Sequence, residues 1–331
     1  MQINSVSIVG GGAWGTALAQ SLAHNQMKVT LWARETEVVD DINMRHVNRT
    51  FLPGVDLNPA ICATSDLLAT AGSDAILAVV PAQHLRSVMA RIAKQLAANT
   101  PVIICAKGIE DATGRFMGEV LEEAAPHALR AVLSGPSFAA DVARGLPSAL
   151  TLACRSETAG RTLASALSSR QMRLYWSSDL LGAELGGAVK NVLAIAAGIV
   201  EGRGLGASAH AAIVTRGFAE LRRFGEAMGA RPETLLGLSG LGDLILTCGS
   251  PQSRNMSLGR ALGEGRTLAE FMGGRVTVAE GVHTCAALVR LAREKGVEMP
   301  IAEAVHGIIQ GRLHVDEAIA SLMQRPLKAE D

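Results

Sequence analysis

The 331-residue chain is poor in aromatic side chains and carries no net charge, and both shortages exclude classes of protein. Its six Phe, three Trp and one Tyr offer few rings to stack on the bases of single-stranded nucleic acid. Its 31 Lys and Arg residues equal its 31 Asp and Glu residues, and the chain contains no basic block. The composition therefore argues against nucleic-acid binding and favours a globular protein packed through Ala and Gly.

Cysteine and histidine are also too scattered for a disulfide framework or a metal site. The five cysteines form no C-x-x-C pair, and the eight His residues form no H-x-x-x-H pair. This usage predicts a reducing compartment, taken to be the cytoplasm, and no bound metal.

Targeting and membrane-spanning segments are the third shortage. The N-terminus has no basic segment and no cleavage site, so no signal peptide is predicted. The longest uncharged run in the apolar stretch around Lys190, residues 191–200, is too short to cross a bilayer. We therefore expect no insertion into a membrane.

The order of apolar runs predicts two domains, which also suits the length of the chain. Short apolar strands, alternating with helical patterns such as residues 84–98, are predicted at residues 6–9, 27–33, 75–80, 101–106, 130–133, 149–153 and 172–176. From Asp179 onward the patterns are helical, at residues 180–201, 209–228, 267–272, 284–295, 300–310 and 316–324. We predict an α/β fold, with a Rossmann-type, mainly parallel sheet in residues 1–178 and an all-helical domain in residues 179–331.

The segment after the first predicted strand has the spacing G-x-G-x-x-G, at Gly10, Gly12 and Gly15. The first glycine permits a tight turn, the second lets the backbone approach a pyrophosphate, and the third lets helix and strand pack closely. Glycine-rich turns are common, but the strand before this one and the helix after it favour dinucleotide binding over a structural turn.

The second predicted strand is followed by Arg34 and Glu35. NAD sites usually have Asp or Glu here to bind the ribose hydroxyls, whereas Arg pairs with the 2′-phosphate of NADP. Arg34 therefore favours NADPH, with NADH as the alternative. The adjacent carboxylate of Glu35 weighs against this preference, and Arg34 could also pack over the adenine with little selectivity.

Lys107, Gly135 and Ser137 each follow a predicted strand further along the chain. Because the carboxyl ends of parallel strands meet at one edge of a sheet, we expect these residues on the same edge as the glycine turn, where ligands bind. Gly135 and Ser137 also fit a simple turn, but a lysine beside a buried strand favours ligand contact.

The run from Gly182 to Val200 is rich in Ala and Leu, contains no Pro and predicts a helix. Lys190 is the only cation between Asp179 and Arg203, and no carboxylate lies one turn away from it. It must therefore reach water, meet a partner from elsewhere or lose its proton. One interpretation is a lysine whose stem lies along the helix with its amine in water; the other is a proton donor with a lowered pKa.

Two later segments are rich in Gly and polar residues, and we expect neither in the core. Residues 238–244 carry the carboxylate of Asp243 between glycines. Residues 249–255 end in Ser253, Arg254 and Asn255, which suit a phosphate but fit an exposed loop with a helix cap equally well. Further on, a single glutamate before a glycine, Glu280, is typical of a cap or a surface position.

These segments together resemble the bacterial-type NAD(P)-dependent glycerol-3-phosphate dehydrogenase family, from Val6 to about Glu280. The motifs that carry the resemblance occur in the family's order. They are GGGAWGTALA at 10–19, AKGIE at 106–110, SGPSFA at 134–139, GAVKN at 187–191, LSGLGDLILTC at 238–248, SRN at 253–255 and VAEG at 278–281.

The resemblance implies reversible hydride transfer between NAD(P)H and dihydroxyacetone phosphate, giving sn-glycerol 3-phosphate, a glycerophospholipid precursor. It implies Lys190 as the general acid/base, with Asp243 as its charge partner. The substrate contacts that it implies are Lys107, Gly135, Ser137, Lys190, Asp243, Ser253, Arg254 and Asn255. The cofactor contacts that it implies are Gly10, Gly12, Ala13, Trp14, Gly15, Arg34, Lys107, Ala139, Arg254, Val278 and Glu280.

Two other functions stay open at this point. Another Rossmann enzyme with a lysine acid/base, of 3-hydroxyacid or 6-phosphogluconate dehydrogenase type, would share the glycine turn and the lysine helix, but SGPSFA and the 253–255 segment favour a triose phosphate. A non-catalytic NADPH-sensing protein would not need Lys107, Lys190 and Asp243 together. For the oligomeric state, a homodimer is the default expectation.

Overall fold

The described residues contain ten strands, all before residue 178. The computed structural model describes residues 2–273 and 279–326. Its strands are β1 (Ser5–Val9), β2 (Lys28–Trp32), β3 (Val47–Asn48), β4 (Leu52–Asp56), β5 (Ile61–Thr64), β6 (Ala75–Ala78), β7 (Pro101–Ile104), β8 (Leu129–Ser134), β9 (Ser148–Cys154) and β10 (Met172–Ser177).

Eight of these strands form one sheet in the order β10-β9-β8-β7-β6-β1-β2-β5, and β3 pairs with β4 in a separate antiparallel hairpin. Neighbours in the large sheet are parallel except β8 and β9. The carboxyl ends of β1, β6, β7 and β8 therefore share one edge. The mainly parallel sheet was predicted from the sequence, but β3, β4 and β5 were missed because they are short and β4 contains Pro53 and Gly54.

Both faces of the sheet are covered by helices. In this half they are α1 (Ala13–His24), α2 (Thr36–Asp40), α3 (Leu85–Ile92), α4 (Met117–Ala124), α5 (Ala139–Ala143) and α6 (Glu157–Leu167). Successive strand residues point to opposite faces. Leu77 and Ile103 belong to the core under α1 and α6, whereas Ile76 and Val102 belong to the core under α3 and α4.

Beyond Ser177 the described residues form helices and no strand, as the sequence predicts. The helices are α7 (Leu180–Gly202), α8 (Gly206–Met228), α9 (Pro232–Leu236), α10 (Asp243–Cys248), α11 (Arg254–Gly263), α12 (Leu268–Met272), α13 (Glu280–Glu294), α14 (Pro300–Ile309) and α15 (Val315–Met323). Every residue of α7 from Gly182 to Val200 is buried. This helix is the centre of the second half.

Glycines explain how closely α7 is surrounded. A Cβ atom on Gly198 would lie 2.1 Å from the Met256 carbonyl oxygen, and one on Gly259 would lie 2.0 Å from the Ile195 oxygen. Only glycine permits α7 and α11 to cross at this separation. These two glycines therefore serve backbone contacts between helices.

The expectation that residues 238–244 lie outside the core is wrong, whereas in 249–255 only Ser253 and Asn255 are buried and the rest is exposed or partly exposed. Residues Leu238–Gly242 form a π-helical turn that continues into α10, and Asp243, Ser253 and Asn255 are buried. A Cβ atom on Gly186 of α7 would lie 2.3 Å from the Ser239 oxygen. The glycines here allow close packing against α7, although glycine usually indicates a loop.

By length and composition alone, α7 is long and apolar enough to cross a membrane. The sequence analysis did not find this, because it considered only the uncharged run of residues 191–200. Its most apolar 18-residue window is 100% buried within the protein. Burial at the centre of the helical half accounts for the apolar composition of α7.

Candidate active site

The glycine turn joins β1 to α1 and leaves one side open. Gly10 has a φ of +133°, and a Cβ atom there would lie 2.9 Å from the Val79 backbone at the end of β6. A Cβ atom on Gly15 would lie 1.8 Å from the Gly10 oxygen, so α1 starts directly against the turn. A Cβ atom on Gly12 would meet nothing within 4 Å. The two outer glycines are needed for packing, and the middle one faces space that a dinucleotide pyrophosphate fits.

The end of β2 lies beside this turn. A Cβ atom on Gly11 would lie 2.5 Å from the Ala33 Cβ. Arg34, which follows Ala33, therefore lies next to the glycine turn. The Arg34 side chain is 79% exposed, and its Nη2 donates to Glu35 Oε1 at 2.8 Å. The guanidinium is thus accessible to a 2′-phosphate, as the preference for NADPH requires. It also pairs with the Glu35 carboxylate, which is the feature that weighs against that preference.

Three further residues assigned to the cofactor from the resemblance border the core beneath α1. Ala13, Trp14 and Ala139 are partly buried against it, the first two on the first turn of α1 and the third at the start of α5. The Trp14 indole Nε1 is buried and has no hydrogen-bond partner in the described part of the chain. A buried donor beside the glycine turn is suited to a polar ligand.

One carboxylate, Asp243, bridges the two lysines that the sequence singles out. Its Oδ1 accepts from Lys190 Nζ at 2.6 Å, and its Oδ2 accepts from Lys107 Nζ at 2.7 Å. Asp243 is 1% exposed and the Lys190 side chain 10% exposed. The interpretation in which the Lys190 amine lies in water is therefore wrong, because the amine has a buried partner from a distant segment.

Burial lowers the pKa of Lys190 from its usual 10.5 to about 8. The largest cause is the loss of hydration of the ammonium, and the nearby Lys107 cation lowers the pKa further. The Asp243 carboxylate acts in the opposite direction. The ammonium of Lys190 therefore gives up its proton more readily near neutral pH than an exposed lysine does.

The first half of the chain supplies Lys107 from the loop after β7. Its Nζ also donates to the Gly135 carbonyl oxygen at 3.1 Å, and the Ser137 hydroxyl donates to the same oxygen at 3.3 Å. A Cβ atom on Gly187, one turn before Lys190, would lie 3.2 Å from Lys107 Cγ. Glycine at this position of α7 lets the edge of the sheet reach the lysine helix, so the two halves of the chain meet at the lysines.

The 253–255 segment begins α11 and is only partly a loop. Ser253 is the N-cap, and its hydroxyl accepts from the Met256 N–H at 3.2 Å. Asn255 donates to Asn191 Oδ1 at 3.0 Å, while its own Oδ1 accepts from the Gly281 N–H at 3.0 Å. Arg254 is exposed. Most of the polar atoms of Ser253 and Asn255 therefore already have protein partners, and Arg254 is the group that faces solvent.

Glu280 is the first residue of α13 and lies close enough to Lys107 and Lys190 for their charges to lower its pKa. The net shift is upward, because burial of the carboxyl is the largest cause. Glu280 is therefore a partly buried residue at the start of a helix, within range of both lysine charges, and not an exposed surface residue. The other predicted cofactor contact in this region, Val278, lies outside the described residues.

The sequence analysis did not single out two residues that complete the cluster. Thr247 Oγ1 accepts from Lys190 Nζ at 2.8 Å, and Asn191 Nδ2 donates to the Lys107 carbonyl oxygen at 3.3 Å. Thr247 follows Asp243 by four residues and shares its helical face, a signal that is usable only once 243–248 is recognised as a helix. In the described residues, no three His, Cys, Asp or Glu side chains are grouped as metal ligands.

Known proteins match this chain over nearly its whole length. The model for the N-terminus of NAD-dependent glycerol-3-phosphate dehydrogenase matches residues 5–160, and the model for its C-terminus matches residues 179–320. The chain is 60% identical to the glycerol-3-phosphate dehydrogenase (NAD(P)+) of Parvibaculum lavamentivorans, with 98% of each chain covered. It is 56% identical to the Caulobacter vibrioides protein of the same name, with 100% of each covered.

A solved structure shows the same fold. The crystal structure of glycerol-3-phosphate dehydrogenase from Coxiella burnetii matches with a TM-score of 0.93 and 38% identity, covering 98% of this chain and 99% of that one. The Rossmann-type sheet with a helical second half is thus confirmed.

Proposed function

The chain belongs to the NAD-dependent glycerol-3-phosphate dehydrogenase family, and from this premise we propose that it interconverts dihydroxyacetone phosphate and sn-glycerol 3-phosphate using NADPH. The observation that carries the proposal is the buried Asp243 carboxylate bridging Lys107 and Lys190. The bridge lies at the edge of the sheet that also holds the glycine turn.

We assign the proton transfer to Lys190. The nicotinamide cofactor supplies the hydride when it is bound. Reduction of a ketone creates negative charge on its oxygen, and an ammonium with a pKa of about 8 can donate a proton there. In the oxidation direction the neutral amine takes the hydroxyl proton. Asp243 holds the amine in place, and Lys107 adds positive charge beside the developing alkoxide.

We assign the substrate phosphate to the start of α11, a ten-residue helix. Arg254 is exposed at its first position and can form a forked pair with a phosphate. Ser253 and Asn255 flank it but use most of their polar atoms within the protein. Gly135 and Ser137 line the site next to Lys107.

For the cofactor we propose the open side of the glycine turn, contacted by Gly10, Gly12, Gly15 and residues near them. The exposed guanidinium of Arg34 supports NADPH as the preferred form, because solvent access lets it pair with a 2′-phosphate although it also pairs with Glu35. The remaining cofactor contacts proposed are Ala13, Trp14, Lys107, Ala139, Arg254, Val278 and Glu280.

We propose that the protein acts in the cytoplasm and supplies glycerol 3-phosphate for glycerophospholipid synthesis. All five cysteines are free, and four of them are buried, which suits a reducing compartment. A homodimer stays a prediction from general frequency.

The test is an assay of NADPH oxidation by the purified protein with dihydroxyacetone phosphate, dihydroxyacetone and a 3-oxoacid in parallel. We expect turnover with the phosphorylated triose and little with the other two. Faster turnover of the 3-oxoacid would favour the 3-hydroxyacid dehydrogenase alternative. Binding of NADPH without turnover of any of the three would favour a non-catalytic sensor.

A further inference from the structure

The β3–β4 hairpin contacts the glycine turn through Asn48, which is 0% exposed although its amide is polar. Asn48 Nδ2 donates to the Gly11 carbonyl oxygen at 2.9 Å and to Thr16 Oγ1 at 2.8 Å. Its Oδ1 accepts from the Phe51 N–H at 3.0 Å. Because a backbone N–H can only donate, the bond to Phe51 fixes which end of the amide is oxygen. The NH₂ group therefore faces the glycine turn.

The Gly11 carbonyl belongs to the same peptide unit as the Gly12 N–H. In a trans peptide these two groups point in opposite directions within one plane, so the bond from Asn48 also fixes the direction of the Gly12 N–H. The Thr16 hydroxyl lies 3.4 Å from the same carbonyl oxygen and restrains it as well. The Gly12 N–H consequently points away from the hairpin.

We propose that Asn48 is a positioning residue for the cofactor, which orients the Gly11–Gly12 peptide so that the Gly12 N–H is ready to bind the pyrophosphate. This inference rests on the proposed function, since it requires the glycine turn to bind a nicotinamide dinucleotide. A glycine peptide without this restraint samples more orientations, and ordering it on binding costs affinity. Asn48 thus acts through the backbone and does not itself touch the reacting atoms.

Gln20 offers a matched control, because it docks the far end of the hairpin to the same helix without touching the glycine turn. Gln20 is 4% exposed. Its Nε2 donates to the Asp56 oxygen at 3.0 Å, and its Oε1 accepts from the Asn58 N–H at 2.7 Å. Loss of Gln20 removes two partly buried hydrogen bonds and loss of Asn48 removes three, but of these two side chains only Asn48 acts on the Gly11 carbonyl.

The experiment measures the Kd of NADPH by isothermal titration calorimetry in the absence of substrate, for the wild type, Asn48→Ala and Gln20→Ala, with a thermal melt of each. We expect both variants to lose similar thermal stability. Only Asn48→Ala should bind NADPH more weakly, by about tenfold. In turnover the KM for NADPH should rise by a similar factor, while kcat at saturating NADPH changes less than about twofold.

Two results would overturn the inference: an unchanged Kd in Asn48→Ala, or an equal loss of affinity in Gln20→Ala. If Asn48→Ala does not fold, the isosteric variant Thr16→Val decides. It removes the hydroxyl that accepts a hydrogen bond from Asn48 and lies near the Gly11 carbonyl oxygen, so it loosens the same peptide. The Kd for NADPH should rise about threefold, and an unchanged Kd would reject the inference. Failure of the wild type to bind NADPH would contradict the proposed function instead.

Discussion

Replacing Asp243 by Asn tests whether this one carboxylate controls the protonation of Lys190, the lysine proposed to transfer the proton. The substitution keeps the size of the side chain but leaves the ammonium groups of Lys107 and Lys190 without their shared anion. Each amine lies 2.6–2.7 Å from a carboxylate oxygen. At that separation the attraction is about 6 kcal/mol in an effective dielectric of 20.

The net effect is smaller than the attraction, because losing one partner of a buried ion pair typically costs about 3–5 kcal/mol. Lys190 can avoid part of this cost by releasing its proton, at about 1.4 kcal/mol per pKa unit. Starting from a pKa of about 8, we expect a further fall of about two to three units. Lys190 would then be mostly neutral at pH 7, and ketone reduction would slow by about 10- to 100-fold.

The assay records kcat against pH in both directions. In the wild type, reduction should decline above about pH 8 because the acid loses its proton, and oxidation should rise through the same pH because the base is freed. In Asp243→Asn both inflections should move to lower pH. Thr247→Val is the control: it removes one hydrogen bond to Lys190 and no charge, so its inflections should move by less than about one unit. Inflections that stay near pH 8 in Asp243→Asn would refute this account of the lysine.

Three further substitutions give sharp expectations. Lys190→Ala should lower kcat by several decades while the Kd of NADPH, measured by calorimetry, stays near the wild-type value; a full-rate variant would end the acid/base assignment. Arg34→Asp should lower the ratio of kcat/KM for NADPH to that for NADH, and an unchanged ratio would show that Arg34 does not bind the 2′-phosphate. Burial raises the pKa of Glu184 from 4.5 to about 8, so the folded state retains a proton that the unfolded chain releases, and stability falls as pH rises between these values. Melting temperatures from pH 5 to 9 should therefore fall less steeply in Glu184→Gln, with Glu220 contributing the same slope to both proteins; parallel curves would contradict the effect.

The sequence predicted the parts of this protein that local patterns determine. Strand periodicity, the G-x-G-x-x-G spacing and the isolated lysine in α7 are each visible within about 20 residues. Asp243 lies 53 residues from Lys190 and 136 from Lys107, and no local pattern connects them. From the residues alone, Lys190 needed a partner of unknown origin, and only the family resemblance identified Asp243.

The wrong and missed predictions arise where a residue is placed by contacts with distant parts of the chain, which a local sequence pattern does not show. Glycine was treated as a sign of loops, but a Cβ atom on Gly240 would lie 2.0 Å from the Leu235 oxygen, so this glycine permits tight packing. The β3–β4 hairpin was missed because strands of two and five residues, with Pro53 and Gly54 in the second, give no periodic signal. Its polar contacts to α1 depend on tertiary structure, and they are the basis for the role proposed for Asn48.

Both halves of the chain supply charges to the lysine cluster: Lys107 comes from the first half, and Lys190 and Asp243 come from the second. With both amines protonated, Lys107 and Lys190 bring two positive charges to the single negative charge of Asp243. Burial raises the pKa of the neighbouring Cys248 thiol to about 12, so it adds no negative charge near neutral pH. The two amines thus outnumber the one carboxylate with which they form ion pairs, and burial, together with the charge of Lys107, lowers the pKa of Lys190. In the proposed reaction this positive charge is complementary to the alkoxide that develops as a ketone accepts hydride, so it would stabilise the transition state more than the ground state.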